Sequence, residues 1–244
     1  MTEIDIIILS YAKNEYLKNL TQQTVDTLLQ SEDESIIKFN PIVIESEMSI
    51  QPYQYSGSKT LYPNEKFGYN KFMNIGITTS SSPYVCLCNN DLIFHKGWAK
   101  EILNFSNFNP SVLSFTPYCD VYHKNQNKVA MNGEPIEAYF GLMIGWCIFV
   151  KREIFEIIGL LDENLSFWYC DYDYLKTIEK HRLKNYLIPT SIVTHLGSES
   201  LKTVDKKEYK KITLLPQLYF DYKWNHKSIV KYRLKKLYFQ IFKL

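Results

Sequence analysis

Three short apolar runs, each ending abruptly in polar residues, constrain this chain more than any other feature. They are "IDIIILS" (4–10), "NPIVIESE" (40–47) and "PYVCLCNND" (83–91). An apolar run of this length without alternation is a strand buried on both faces, the pattern of a parallel sheet covered by helices. The segments between them have helical spacing: Leu17, Leu20, Thr24 and Leu28 share a face of "YLKNLTQQTVDTLLQS". "GYNKFMNIGITTS" and "HKGWAKEILNFSN" also read as helices, whereas 51–66, with two prolines and a glycine, reads as a loop. This order predicts an α/β fold whose mostly parallel, Rossmann-like central sheet is flanked by helices.

In the second half, "SVLSFTPYCDVY" (111–122) and "LMIGWCIFVK" (142–151) read as strands. "REIFEIIG" is a short helix stopped by Gly159. "CDYDYLKTIEKHRLKN" is a longer helix, "YLIPTSIVTHLGS" a late strand ending at His195, and "KSIVKYRLKKLYFQIFK" a C-terminal helix. We therefore expect one domain over 1–201, with halves of about 1–110 and 111–201, and an extension of loop and helix over 202–244.

Charge separates the same two parts. Residues 202–244 hold 12 Lys or Arg and 3 Asp or Glu, leaving 16 basic and 23 acidic of the totals 28 and 26 in 1–201. An acidic body with a +9 tail argues against nucleic acid and suits an acidic partner such as a phospholipid surface. A solvated basic helix face is the alternative. No apolar run is long enough for a membrane-spanning helix, and the N-terminus lacks a signal-peptide pattern. The cytoplasm is the expected location, with or without peripheral attachment to the inner membrane face. Five cysteines at irregular spacing do not form a disulfide framework, and Cys86 and Cys88 read as buried thiols.

In open parallel sheets, ligands bind beyond the carboxyl ends of the strands. Ser10 and Tyr11, Glu45 and Glu47, Asn89-Asn90-Asp91, and His195 all fall at such ends. Asp91 suits a hard divalent cation completed by substrate phosphates, and an imidazole from His195 favours Mn²⁺ over Mg²⁺. An ordinary turn and a packed histidine would also account for these residues. A second acidic cluster, Asp171 and Asp173, lies among Phe167, Trp168, Tyr169 and Tyr172. A helix dipole favours acids there; a partly dry aromatic setting would instead raise a carboxylate's pKa and let it accept a proton from a hydroxyl.

Together these motifs resemble the GT-A glycosyltransferases of the family-two-like, inverting group. "NNDLIFHKGW" is similar to the Asn-Asn-Asp form of that group's Asp-x-Asp motif, and "FGYNKFMNIGI" to its Asn-x-Gly helix. "GWCIFVKREIFEIIGLLDENLSFWYCDYDYL" resembles its central signature and "IVTHLGSES" its later His-x-Gly-x-Ser segment. The resemblance covers about residues 4–202 and implies roles. Asp171 would be the catalytic base; Asp91 and His195 would hold Mn²⁺ or Mg²⁺. Ser10, Tyr11, Glu45, Asn74, Asn89, Asn90, Ser200 and Lys202 would bind the nucleotide-sugar, in a nucleotide-binding first half. Trp146, Trp168 and Asp173 would meet the acceptor, in the second half. The chain departs from the pattern at Cys170, in place of a Glu, at Thr177, in place of an Arg, and at Asn185, in place of a Gly.

The implied reaction moves a hexosyl group from a nucleoside-diphosphate sugar, UDP- or dTDP-linked, to a hydroxyl of a glycan, lipid-linked or protein-linked acceptor. Surface polysaccharide or glycoconjugate synthesis is the implied setting. Two other readings stay open: a sugar nucleotidyltransferase, which would want a Gly-rich loop where "SYAKNEY" stands, and a non-catalytic glycan- or nucleotide-binding protein. A homodimer is compatible with either.

Overall fold

The computed structural model describes residues 1–125, 133–197, 206–225 and 228–241. The first apolar run forms β1 (Thr2–Ser10), followed by α1 (Glu15–Gln30), β2 (Ile37–Glu45), β3 (Lys59–Leu61) and α2 (Tyr69–Thr78). Next come β4 (Tyr84–Asn89), β5 (Leu92–Phe94), α3 (Trp98–Phe108), β6 (Ser114–Cys119) and α4 (Tyr122–Asn125). Then follow β7 (Ile136–Glu137), β8 (Cys147–Lys151), α5 (Ile154–Ile158), α6 (Cys170–Lys180) and β9 (Asn185–His195). Two helices, α7 (Lys206–Trp224) and α8 (Ile229–Ile241), close the chain.

The strands form one sheet in the order β3-β2-β1-β4-β8-β6-β9-β5, with β7 paired to β9. Strands β1, β2, β3, β4, β6 and β9 run one way, and β5, β7 and β8 oppose them. The mostly parallel α/β sheet expected from sequence is therefore present. Its first half is purely parallel; its second half is mixed, with antiparallel β8 inserted between β4 and β6 and antiparallel β5 at the edge. The carboxyl ends of β1, β2, β4 and β9 consequently lie at one edge, where Leu9 pairs with Asn89 and Leu92 with His195.

Alternation along the strands sends successive residues to opposite faces. Ile4, Ile6 and Ile8 pack with Val25, Leu28 and Trp98 under α1 and α3, while Ile7 and Leu9 pack with Phe72, Met73 and Leu175 under α2 and α6. Each such fully buried side chain contributes about 1.5–3 kcal/mol relative to exposure. Gly76 of α2 lies so close to Ile7 that a Cβ there would collide with it, which is the physical need behind the glycine of the Asn-Ile-Gly stretch. Cys86, Cys88 and Cys147 are buried free thiols within 4.8 Å of one another.

Arg152, just after β8, ties the sheet's opposite edge together. It donates to the carbonyls of Ser82 and Ile77 and to Asp5 Oδ2 at 2.7 Å. Asp5, on β1, also accepts from the backbone and hydroxyl of Ser82.

Helix α7 docks on the body: Lys223 bridges Asp162 and Asp173 (both 2.8 Å), Trp224 Nε1 donates to Asp173, and Phe220 packs on Leu165 and Cys170. Helix α8 packs on α7 in turn, with Tyr232 stacked on Tyr222 at 5.5 Å. Among the described residues, no helix is long and apolar enough to cross a membrane.

Candidate active site

A cleft of about 390 Å³ opens at the carboxyl edge of the sheet, on the side where β4 meets β8. Its floor begins with the "NND" turn after β4, which α1 holds in place. Thr24 Oγ1 donates to the Asn90 carbonyl at 2.8 Å, and Asn90 Nδ2 donates to Thr21 Oγ1 at 2.8 Å. Thr21 also bonds the Ser10 hydroxyl at 2.8 Å, so the ends of β1 and β4 share one support.

This support leaves Asp91 aimed at His195, across from it at the end of β9. Asp91 Oδ1 and His195 Nε2 are 3.1 Å apart and both atoms are buried; among the described residues no other group bonds either of them. The Leu196 amide, which donates to the Asp91 carbonyl at 3.0 Å, fixes the two backbones. A buried carboxylate oxygen and a buried imidazole nitrogen that converge in this way are suited to a shared cation, which would satisfy both. One carboxylate and one imidazole fit a Mn²⁺-like ion better than a purely oxygen-seeking one. The Trp146 ring stacks on His195, with centroids 5.5 Å apart and planes inclined by 14°, and fixes its orientation.

The residue before that tryptophan reaches the other functional group. The Gly145 amide donates to Asp171 Oδ2 at 3.3 Å, and the Tyr172 amide donates to Oδ1 at 2.9 Å. A Cβ on Gly145 would sit 2.8 Å from the Asp171 Cβ, so only glycine permits this approach. Burial pushes the Asp171 carboxyl above its ordinary value despite these donors. Tyr169, in the left-handed region at φ 69, turns the chain into α6 and delivers Asp171 to the cleft. Such a backbone costs a non-glycine residue on the order of 1–3 kcal/mol and tends to occur at functional sites.

Consecutive residues thus connect the two chemistries: Gly145 holds Asp171, and Trp146 braces His195. Tyr69 reinforces the link by donating to the Gly145 carbonyl at 2.8 Å. Burial keeps that phenol well above its ordinary pKa, so it remains a neutral donor.

Of the residues singled out from sequence, Ser10, Tyr11, Asn89, Asn90, Asp91, Trp146, Trp168, Asp171 and His195 line this cleft. Three others do not. Glu45 is fully buried and accepts from the Tyr55 hydroxyl and the amides of Ala12 and Glu47, so it shapes the loop after β1 from behind. Asn74 exchanges hydrogen bonds with the backbone of Leu161 and is spent on clamping the 161–163 loop to α2. Asp173 points away from the cleft into the Lys223–Trp224 clasp of α7. Ser200 and Lys202 lie outside the described residues.

The cleft also uses residues that sequence reading gave no role: Lys13, Phe67, Tyr69, Gly145 and, from α7, Ile212. Lys13 was the readable one, a cation three residues beyond a buried strand. Gly145 carried no signal, since its need arises from Asp171, 26 residues later.

No protein-family model matches the sequence, and no curated protein matches it. Solved structures resemble its fold. The mannosyltransferase PcManGT from Pyrobaculum calidifontis, in complex with GDP-Man and Mn²⁺, is 12% identical over 92% of this chain and 64% of its own, with a TM-score of 0.64. GalNAc-T7 with UDP, GalNAc and Mn²⁺ is 13% identical over 80% of this chain and 44% of its own, with a TM-score of 0.62. The catalytic domain of Drosophila beta1,4galactosyltransferase 7, in complex with xylobiose, is 11% identical over 84% of this chain and 75% of its own, with a TM-score of 0.55. The chain thus spans less than two thirds of the first two. At these identities the likeness establishes architecture, and that architecture is the GT-A glycosyltransferase fold.

Proposed function

We propose that the protein is an inverting, metal-dependent glycosyltransferase that moves a hexosyl group from a nucleoside-diphosphate sugar to an acceptor hydroxyl. The observation that carries this reading is the convergence of Asp91 Oδ1 and His195 Nε2, which no other described group bonds, in the same cleft as Asp171. Ser10, Tyr11 and Asn89 sit on the donor side of that pair, and a UDP- or dTDP-linked sugar is the donor class we assign. The Mn²⁺ in two of the similar structures supports a divalent cation. The chemistry such a cation supplies when bound is neutralisation of the charge on the departing diphosphate.

Asp171 acts on the acceptor. Its carboxylate takes the proton from the attacking hydroxyl while the new bond forms at the anomeric carbon and the bond to diphosphate oxygen breaks. Attack opposite the leaving group inverts the anomeric centre. Trp168, whose buried Nε1 has no hydrogen-bond partner among the described residues, and Phe167, 5.6 Å from it, offer an acceptor sugar a stacking wall with one donor. Where the resemblance expects a Glu, Cys170 packs against Phe220 of α7, so this wall and not an acidic pair receives the acceptor. The acceptor class we assign is a glycan, lipid-linked or protein-linked hydroxyl, in surface polysaccharide or glycoconjugate synthesis. The five free cysteines support a reducing, cytoplasmic setting. Ser200 and Lys202 keep the diphosphate role that the resemblance implies.

Calorimetry with UDP, dTDP and GDP, each with and without Mn²⁺, tests this reading on wild type and Asp91→Ala. The expected result is metal-dependent binding of one nucleotide, weakened at least about tenfold in the variant. Folded wild-type protein that binds none of the three would overturn it in favour of a non-catalytic scaffold.

A further inference from the structure

Among the described residues, helix α8 presents an apolar face that is largely exposed to solvent. It packs on α7 through Tyr232, which stacks on Tyr222 and lies 5.7 Å from Tyr219. At 100° per residue, Val230, Leu234, Leu237 and Tyr238 occupy an arc of about 100° on the far side of the helix from Tyr232. These four side chains are 61%, 62%, 52% and 50% exposed. Exposed cations border the arc, Lys231 and Lys235 along one side and Arg233 along the other, with Lys236 nearer α7. Residues 228–241 contain no acid.

We infer that α8 is an interfacial helix that docks the protein on an anionic lipid surface. An apolar strip flanked by Lys and Arg lets the strip enter the acyl boundary while the cations stay with the headgroups. Thirteen residues give a helix of about 20 Å, too short to span a bilayer but suited to lying in its plane. A second copy of the chain is the poorer occupant. Twofold pairing of this face would bring two sets of four cations together without an acid on the helix to offset them. The docking of α7 on the body through Lys223, Trp224 and Phe220 ties α8 to the catalytic domain. This inference does not depend on the transfer reaction.

The test is flotation of the full chain with phosphatidylcholine vesicles, with and without phosphatidylglycerol. Alongside wild type run two variants, Leu234→Glu/Leu237→Glu and Lys231→Gln/Arg233→Gln/Lys235→Gln/Lys236→Gln. All these positions are exposed, so both variants fold. Wild type is expected to float with the anionic vesicles only, and each variant to lose at least about tenfold in partitioning. Absence of flotation, or flotation equal in wild type and variants, overturns the inference. A wild-type dimer by light scattering that Leu234→Glu/Leu237→Glu dissolves, without lipid binding, assigns the face to a second copy instead.

Discussion

Asp171 shows how a single carboxylate acquires a working pKa. Burial raises it and two backbone amides pull it down, with burial prevailing. A general base works deprotonated, so the ascending limb of kcat/KM against pH should lie above the ordinary carboxylate range. Asp171→Asn should remove that limb and cut kcat by about 10²–10⁴-fold, with nucleotide binding by calorimetry unchanged. Gly145→Ala is the finer probe, because its Cβ would press on the Asp171 Cβ at 2.8 Å. A kcat loss of about tenfold is expected from displacing the base by a fraction of an ångström, together with a shifted limb; an unchanged profile would refute the positioning role. At this scale, sequence showed what strand ends bring together. Asp91, His195 and Asp171 meet at one cleft because each stands at a strand end or in a helix's first turn on that side of the sheet. Glu45, Asn74 and Asp173 looked the same, yet their side chains bond within the fold outside the cleft, because a polar residue's partner is invisible until the chain is folded.

Helix α7 makes the same point for an element. The sequence predicts α8 but no helix over 206–224, since Pro216 interrupts that stretch and its apolar periodicity is weak. Tertiary contacts hold it instead. Lys223 offers one charge to two acids. Asp162, with Tyr219 and Asn164 as further donors, falls to about 2 although burial opposes the shift. Asp173 stays above its ordinary value because burial outweighs the same lysine and Trp224. Lys223→Met would leave both acids without their cation. The side chains are partly screened, so the cost expected is about 2 kcal/mol rather than the larger penalty of a fully buried pair. Hydrogen exchange should localise the loss to α7, and because Ile212 of α7 lines the cleft, acceptor KM should rise with kcat little changed. Uniform exchange in variant and wild type would show that the clasp is dispensable. Asp162 adds a pH dependence. Its folded pKa is depressed, so the docking energy is present above the unfolded value of 3.8 and is lost as pH falls towards about 2.

For the whole molecule, β1, β2 and β4 of the parallel half were legible because each is a continuous apolar run, whereas the short β3, inside the stretch that reads as a loop, was not. Nor was the mixed half. Pairing of β4 with β8, some 60 residues on, is chosen by the closure of the whole sheet, and no local pattern records it. Arg152 is where that closure can be measured, since its guanidinium joins β1, the end of α2 and the turn before β4 at the start of α5. Asp5, its carboxylate partner, is 3% exposed. Burial raises the Asp5 carboxyl, but hydrogen bonds from Ser82, Asn40 and Ser80 more than reverse that, and its pKa lies below the ordinary value. Arg152→Met keeps the volume of the stem and removes the charge and its donors. It leaves a buried carboxylate without its cation and the Ser82 carbonyl without its Arg152 donor, at a cost of about 3 kcal/mol at neutral pH. Because Asp5 has a depressed folded pKa, wild type holds this stabilisation above 3.8 and gives it up as pH falls through the lower, folded value. Urea unfolding of both proteins should therefore show a gap that is full at neutral pH and narrows in acid. A gap under about 1 kcal/mol at neutral pH, the size of an exposed pair, would mean that the sheet closes without this residue.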